Sequence, residues 1–471
     1  MLKHLLLFSL LLSLAAWDGL AAIAGDDLPD RTQERIKELA EKKSHMASYD
    51  VSKVANVASL TPTQSARLLL APDAHLRVRW ALPLKGTTVK RICVPPQDTE
   101  LKYVLVETAQ NDLIAVRADN GMPLWWVKYP EPIVGDVFFG NYNVHFVSGN
   151  RLVALERMSG DLQWNVALPF APVSGPAAHE PTKDSSYVFI SAMNRKAYCL
   201  DVVQEEWPPK GQNTLPNSTF AITLASPRIL WQYMMAGISR HTPLYDAADN
   251  YLYLGSLNKR LYGLRLEDAI TRGSPLDEGV WEYHTMGDTV AAPIAEGPHV
   301  IFPSLDQYLY CLTGNEGAVI WKYAAALPLS QTPQLLLDSE NKNECLQIVQ
   351  RVGANTLVGI DNSRGNALWQ HDKGMMIVGV SSTGNSKREK QMLAISYDSD
   401  HHLSAILPLA KDVRTDKEKR DDDMNQRHMA AKVAWRLAVD KLANFAPNNY
   451  GSYIFCTTAD AGTLCALERN K

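Results

Sequence analysis

Apolar and polar positions alternate along the chain in short runs, of which NYLYLGS (250–256) and DQYLYCL (306–312) are representative. A period of two, rich in aromatic and β-branched residues, predicts strands rather than helices. The runs also recur at a fixed internal spacing. LIAVRADNGMPLW (113–125), LVALERMSGDLQW (152–164), LYCLTGNEGAVIW (309–321) and LVGIDNSRGNALW (357–369) share one skeleton. Each sets a small residue (Ala115, Ala154, Cys311, Gly359), then Gly six positions later (Gly121, Gly160, Gly317, Gly365), then Trp ten positions later. Such self-similarity identifies a repeat architecture.

Three further copies are interrupted. Cys199, Gly263 and Ala405 reach Trp231, Trp281 and Trp435 with 22, 8 and 20 additional residues. An eighth small-residue strand, LCALERNK (464–471), has no Trp after it, whereas Trp80 in HLRVRWALPL (75–84) has no strand before it. Joined, the two halves make one repeat and bring the tryptophans to eight: Trp80, Trp125, Trp164, Trp231, Trp281, Trp321, Trp369 and Trp435. A four-stranded sheet of about 45 residues cannot bury both faces alone, so such sheets stack radially and close into a ring. The predicted fold is all-β: an eight-bladed β-propeller of four-stranded antiparallel blades, closed by an N-terminal strand, with a short helical N-terminal extension. In this arrangement the Gly supplies a positive φ to the turn between outer strands. The small residue is expected to let a neighbouring blade's indole approach the backbone.

The spacing resembles the tryptophan-docking motif of quinoprotein-type eight-bladed propellers, and the resemblance covers residues 76–471. It implies the propeller fold and two opposed kinds of function. One branch holds pyrroloquinoline quinone (PQQ) dehydrogenases, in which a flat quinone is sandwiched with Ca²⁺ and an Asp acts as base. The other is non-catalytic and BamB-like, working in outer-membrane protein assembly. The alcohol-oxidising enzymes typically carry a disulfide between adjacent cysteines; here the nearest pair, Cys456 and Cys465, is nine positions apart.

Charge and composition narrow the partners. A net charge of −4 without a basic stripe excludes a nucleic-acid surface. Lys3, the apolar run 5–16 and the small residues Ala22-Ile23-Ala24 read as a signal peptide over 1–24 with no lipobox Cys, and the run is short for a membrane span. The expected location is periplasmic or secreted, with no integral span after cleavage. Residues 25–75 form the extension, with RTQERIKELAEKK (31–43) and TPTQSARLLLAP (61–72) as short helices, loosely tethered to the propeller over 76–471. Asp421, Asp422 and Asp423 lack the Gly-turned loop of a calcium site and read as a solvated loop.

Of six cysteines, Cys199 and Cys311 fill the small-residue slot and read as buried thiols. Cys456 and Cys465 bracket TTADAGTL, where geometry alone decides a bond; Cys93 and Cys345 cannot be paired from sequence. No metal-ligand spacing and no Ser–His–Asp, P-loop or zinc signature is present. Polar residues in segments leading into inner strands are candidates for lining the central funnel: Asp136, Arg240, His241, His284 and Asp288. The expectation is a non-catalytic scaffold without cofactor, monomeric within a complex with another envelope or secreted protein. The alternatives are an oxidoreductase using PQQ with calcium or another metal in the funnel, and a carbohydrate- or peptide-binding propeller. The three interrupted repeats put their insertions on one face, the expected contact surface.

Overall fold

The computed structural model describes residues 52–53, 60–62, 76–84, 86–95, 102–182, 185–207, 222–266, 279–337, 345–383, 391–408, 429–439, 441–446 and 453–469. The compact unit formed by 51–204 and 225–471 carries the propeller. The other unit, 1–50 with 205–224, is described only at 205–207 and 222–224, within two strands of the third blade.

Eight antiparallel sheets follow one another along the chain. From innermost to outermost strand, blade 1 runs from Val89–Cys93 to Pro123–Lys128 and blade 2 from Ile133–Phe139 to Leu162–Ala167. Blade 3 spans Ala177–Thr182 to Ile222–Met234, blade 4 Leu244–Asp246 to Val280–His284, and blade 5 Ile294–Glu296 to Val319–Ala324. Blade 6 spans Gln334–Leu337 to Ala367–His371 and blade 7 Gly374–Thr383 to Lys432–Ala438. Blade 8 takes three strands from the C-terminal region, Leu442–Ala446, Tyr453–Thr458 and Thr463–Arg469, and its outer strand is Leu76–Pro83. Trp80 there faces Ala466, as Trp125 faces Ala115 and Trp164 faces Ala154 in their own blades. The N-terminal strand thus completes the last blade and closes the ring.

Each blade is hydrophobic on both faces, so the core is divided among the seams. Separate clusters of buried residues bridge blades 2 and 3, 3 and 4, 4 and 5, 5 and 6, 6 and 7, 7 and 8, and 8 and 1. In six blades the residue just before the Trp (Arg79, Leu124, Gln163, Ile320, Leu368, Ala434) drops out of register as a bulge. A bulge sharpens the local twist and leaves an outer edge poorly suited to pairing with another chain.

Two readings of the sequence need correction. The small residue faces the indole of its own blade: a Cβ at Gly263 or Gly359 would run into Trp281 or Trp369. The neighbouring blade's indole lies instead on the turn glycine. A methyl at Gly121 would come within 2.6 Å of Trp80, and one at Gly160 within 2.6 Å of Trp125. The same indoles donate from Nε1 to the carbonyl three residues before that glycine, Trp80 to Ala118 and Trp125 to Arg157, each at 2.9 Å. Trp281 and Trp321 repeat this on Gly314 and Asn362 at 2.8 Å.

The second correction concerns the extension. Its proposed helices lie outside the described residues apart from Thr61 and Pro62, and its described part is pinned rather than loose. Ser52–Lys53 pairs with Val127 and Lys128 as a fifth strand on blade 1, and Leu60, 6% exposed, enters the core between blades 8 and 1.

Candidate functional site

Antiparallel order sends the turns between second and third strands, and the crossings to the next blade, to one end of the ring. The remaining connections, among them the third-to-fourth-strand links in which the sequence carries its insertions, start from the other end. The insertions at 208–221, 267–278 and 409–428 lie outside the described residues.

At the crossing end the inner strands of blades 1 to 4 converge. Arg91, on the inner strand of blade 1, donates to Asp136 Oδ1 on that of blade 2 at 2.7 Å. Thr242, leading into the inner strand of blade 4, donates from Oγ1 to Asp136 Oδ2 at 3.3 Å. Between them lies Gly175, at the start of blade 3. A Cβ there would strike the Asp136 backbone and stand 2.7 Å from Thr242 Oγ1, and a Cβ on Gly135 would strike the Gly175 backbone. Gly135 also has φ +67°. Only glycines allow this approach.

Arg91 is in turn held by Glu107, buried on the second strand of blade 1, through Nε at 3.0 Å and Nη2 at 2.6 Å, and Lys90 reaches the same carboxylate at 2.6 Å. A register shift between Val89 and Arg91 lets two consecutive cations meet one buried anion. Strict alternation would have sent them to opposite faces. Neither Arg91, Glu107 nor Thr242 was nominated from sequence, because that bulge leaves no mark in the VKRIC run.

Of the nominated residues, Asp136 and His241 share this neighbourhood. His241 is buried, with Nδ1 3.0 Å from the Thr242 carbonyl and Nε2 without a partner. Burial lowers its affinity for a proton, opposed by the Thr242 and Gly255 carbonyls and by the charge of Asp136. Arg240 is exposed in the same crossing. Asp288 belongs to the next crossing, where its carbonyl accepts from the Leu305 amide at 3.0 Å. His284 is a correction. It ends the outermost strand of blade 4, exposed and 3.8 Å from Glu282 Oε2, and an outermost strand does not line the channel. Among the described residues no three His, Cys, Asp or Glu side chains converge as a metal-binding group.

Around this mouth the crossing end is apolar as well as charged. Met193 in a blade 3 turn, Met234 at the end of its outer strand, and Met286 and Leu327 in the next two crossings are 54%, 54%, 82% and 50% exposed. The backbone beneath them is hydrogen-bonded to neighbouring turns. Met235 N donates to Arg195 O at 2.9 Å, Thr285 N to Lys259 O at 2.9 Å, and Met286 N to Asp306 Oδ2 at 2.8 Å. Each crossing is thereby stitched to a turn of its own or the following blade.

The family model described as outer membrane protein assembly factor BamB matches residues 77–190 and 218–410. The chain belongs to this family. Tetrathionate hydrolase of Acidithiobacillus ferrooxidans is 22% identical over 237 residues, 47% of this chain and 44% of that enzyme, so this BamB-family chain spans less than half of that curated relative. Among solved structures, BamB from Moraxella catarrhalis superposes with a TM-score of 0.49 at 13% identity, covering 81% of this chain and 99% of that one. The computationally designed Ika8 protein gives a TM-score of 0.49 at 10% identity, covering 82% and 98%.

Proposed function

We propose that this BamB-family propeller is a non-catalytic protein-binding platform of the cell envelope, exported by its apolar N-terminal segment and monomeric within its complex. The observation that carries the reading is the set of exposed apolar side chains at the crossing end, Met193, Met234, Met286 and Leu327. They stand on hydrogen-bonded backbone beside the charged residues Arg240 and Asp288. Flexible thioethers over a fixed scaffold, interleaved with charge, suit a protein contact. The insertion end carries as many exposed apolar side chains on blades 1 and 2, Met122, Tyr142, Met158 and Leu162, but each is less exposed, at 40–47%. Replacing both Met234 and Met286 with Asp is expected to abolish recovery of cross-linked envelope partners while leaving the melting temperature unchanged. Met158→Asp serves as the control at the opposite end. Partners retained by the double variant and lost with Met158→Asp would move the contact to the insertion end.

An enzymatic reading has the similarity to tetrathionate hydrolase in its favour. Two features weigh against a funnel cofactor. The Gly135–Gly175 approach packs the backbones of blades 2 and 3 directly together beside Asp136, and both Asp136 oxygens are engaged by Arg91 and Thr242. Purified protein supplied with tetrathionate, or with PQQ, Ca²⁺ and a panel of alcohols and aldoses, is expected to show no turnover. Turnover lost in Asp136→Asn would replace the platform reading with an enzymatic one.

A further inference from the structure

We propose that Cys456 and Cys465 form a cross-strand disulfide within the closing blade, and that it forms before the blade is sealed. The two residues occupy one rung of the hairpin Tyr453–Thr458 and Thr463–Arg469, directly opposite in register, so their side chains leave the same face. Opposed residues of an antiparallel pair have Cα atoms about 4.5–5.5 Å apart, inside the roughly 4.4–6.8 Å a disulfide spans. Among the described cysteines no other pair shares a rung. Cys93 faces Leu105, Cys311 faces Ile301 and Trp321, and Cys199 faces Phe189.

Both thiols are fully buried in the cluster between blades 7 and 8, among Val378, Ile395, Leu437 and Ile454. Burial pushes Cys465 up to about 12 and Cys456 well above the ordinary thiol range. Thiolate is the attacking species, so the closed ring is nearly inert to an oxidant while the open hairpin is not. The third strand of this hairpin is Leu76–Pro83, which packs Ala81 opposite Cys465 and covers that edge. Oxidation therefore belongs to the interval after the hairpin forms and before blade 8 meets blade 7.

The oxidant is a disulfide, either glutathione disulfide or the active-site disulfide of a dithiol oxidase. One cysteine thiolate attacks it, giving a mixed disulfide and releasing one oxidant thiol. The second thiolate attacks the cysteine sulfur of the mixed disulfide, forming Cys456–Cys465 and releasing the second thiol. Two S–H bonds are lost and one S–S bond gained, and the oxidant carries away two electrons and two protons. The proposal is independent of the platform reading.

The test unfolds reduced full-length protein and refolds it in a mixture of reduced and oxidised glutathione, followed by acid quench, denaturing alkylation and peptide mapping. Refolded chain is expected to yield the Cys456 and Cys465 peptides linked and lighter by two hydrogen atoms, whereas folded, reduced protein held in the same mixture stays alkylatable at both. Reducing the linked protein should lower its melting temperature, and Cys465→Ala should accumulate glutathione on Cys456. Should the chain not refold in vitro, the same mapping is applied to protein exported into an oxidising compartment. Either thiol free, or joined to a different cysteine, in the folded product overturns the proposal. Linkage appearing equally fast in already folded protein overturns the ordering.

Discussion

Gly160 shows what a single residue does in this fold. Its φ of +67° is one demand, and the Trp125 indole 2.6 Å from the place a methyl would take is a second. Gly86 has φ +79° with open space around it, so only the first demand applies. Gly86→Ala is expected to cost about 1 kcal/mol, the left-handed penalty alone. Gly160→Ala should cost clearly more, because the indole must also retreat and lose its bond to Arg157. Equal costs by denaturant titration would mean the indole contact carries no energy. The partner experiment uses the aromatic side. Trp164 is 1% exposed, and Trp164→Ala should cost about 3–5 kcal/mol. Trp126, outside the repeat register, is partly buried and its Nε1 lacks a partner, so Trp126→Ala should cost less.

At the scale of elements, the closing seam is held from two directions. Leu76–Pro83 supplies the outer strand of blade 8, and the upstream segment pins itself to blade 1 through Ser52–Lys53 and Leu60. A chain beginning at residue 51 keeps both anchors, whereas one beginning at 63 keeps the outer strand alone. The shorter chain is expected to lose about 2–5 kcal/mol, the usual loss of one buried Leu with its cavity. Beginning at 85 removes the outer strand, exposes a sheet edge and should leave insoluble protein. If chains beginning at 51 and 63 unfold at the same denaturant concentration, Leu60 does not hold the seam. Sequence pattern placed the outer strand because Trp80 marks the register. Leu60 sits in a segment with no periodic neighbours, so its burial had no signature.

For the whole molecule, acid should act through buried carboxylates that join blades. Asp398 of blade 7 accepts from His371 of blade 6 at 3.0 Å, and from Ser404 at 2.6 Å and Arg436 at 3.2 Å within blade 7. Glu180 of blade 3 faces His145 of blade 2 at 2.6 Å and takes the Tyr142 amide at 2.7 Å. Burial alone would push both acids up; these donors outweigh it and hold both below the ordinary range. A depressed carboxyl stabilises fully above its unfolded value, about 4, and loses that contribution as pH falls through the folded value. His241, lowered by burial, acts higher: its neutral form stabilises above about 6.5 and the benefit fades as pH falls below that. Stability measured by denaturant is therefore expected to decline in two steps on acidification. Asp398→Asn should flatten the lower step and His241→Gln the upper one. A pH profile unaltered by both substitutions would show that neither group is linked to folding.

The repeat, the ring and its closure were legible in the sequence because they rest on local demands that recur. A period of two defines the strands, and in the four uninterrupted repeats a glycine six and an indole ten residues after the small residue fix the register. What each Trp touches across the seam is decided by the rotation between blades, which no single repeat encodes, and so the glycine, besides its expected positive φ, takes the neighbouring indole that the small residue was expected to receive. The mouth was legible only in part. Asp136 and His241 lie together, yet His284 belongs to an outermost strand, because the chain leading toward an inner strand first travels along the rim. The cations that engage Asp136 and Glu107 depend on a bulge at Lys90, and the close packing of blades 2 and 3 beside Asp136 depends on two glycines from different blades meeting. Such contacts between residues far apart in the chain arise only when the ring closes and desolvates them. Sequence thus determined the number of blades and the order of their strands; tertiary packing alone decided which side chains meet at the axis, because neighbours there are set by blade geometry rather than by spacing along the chain.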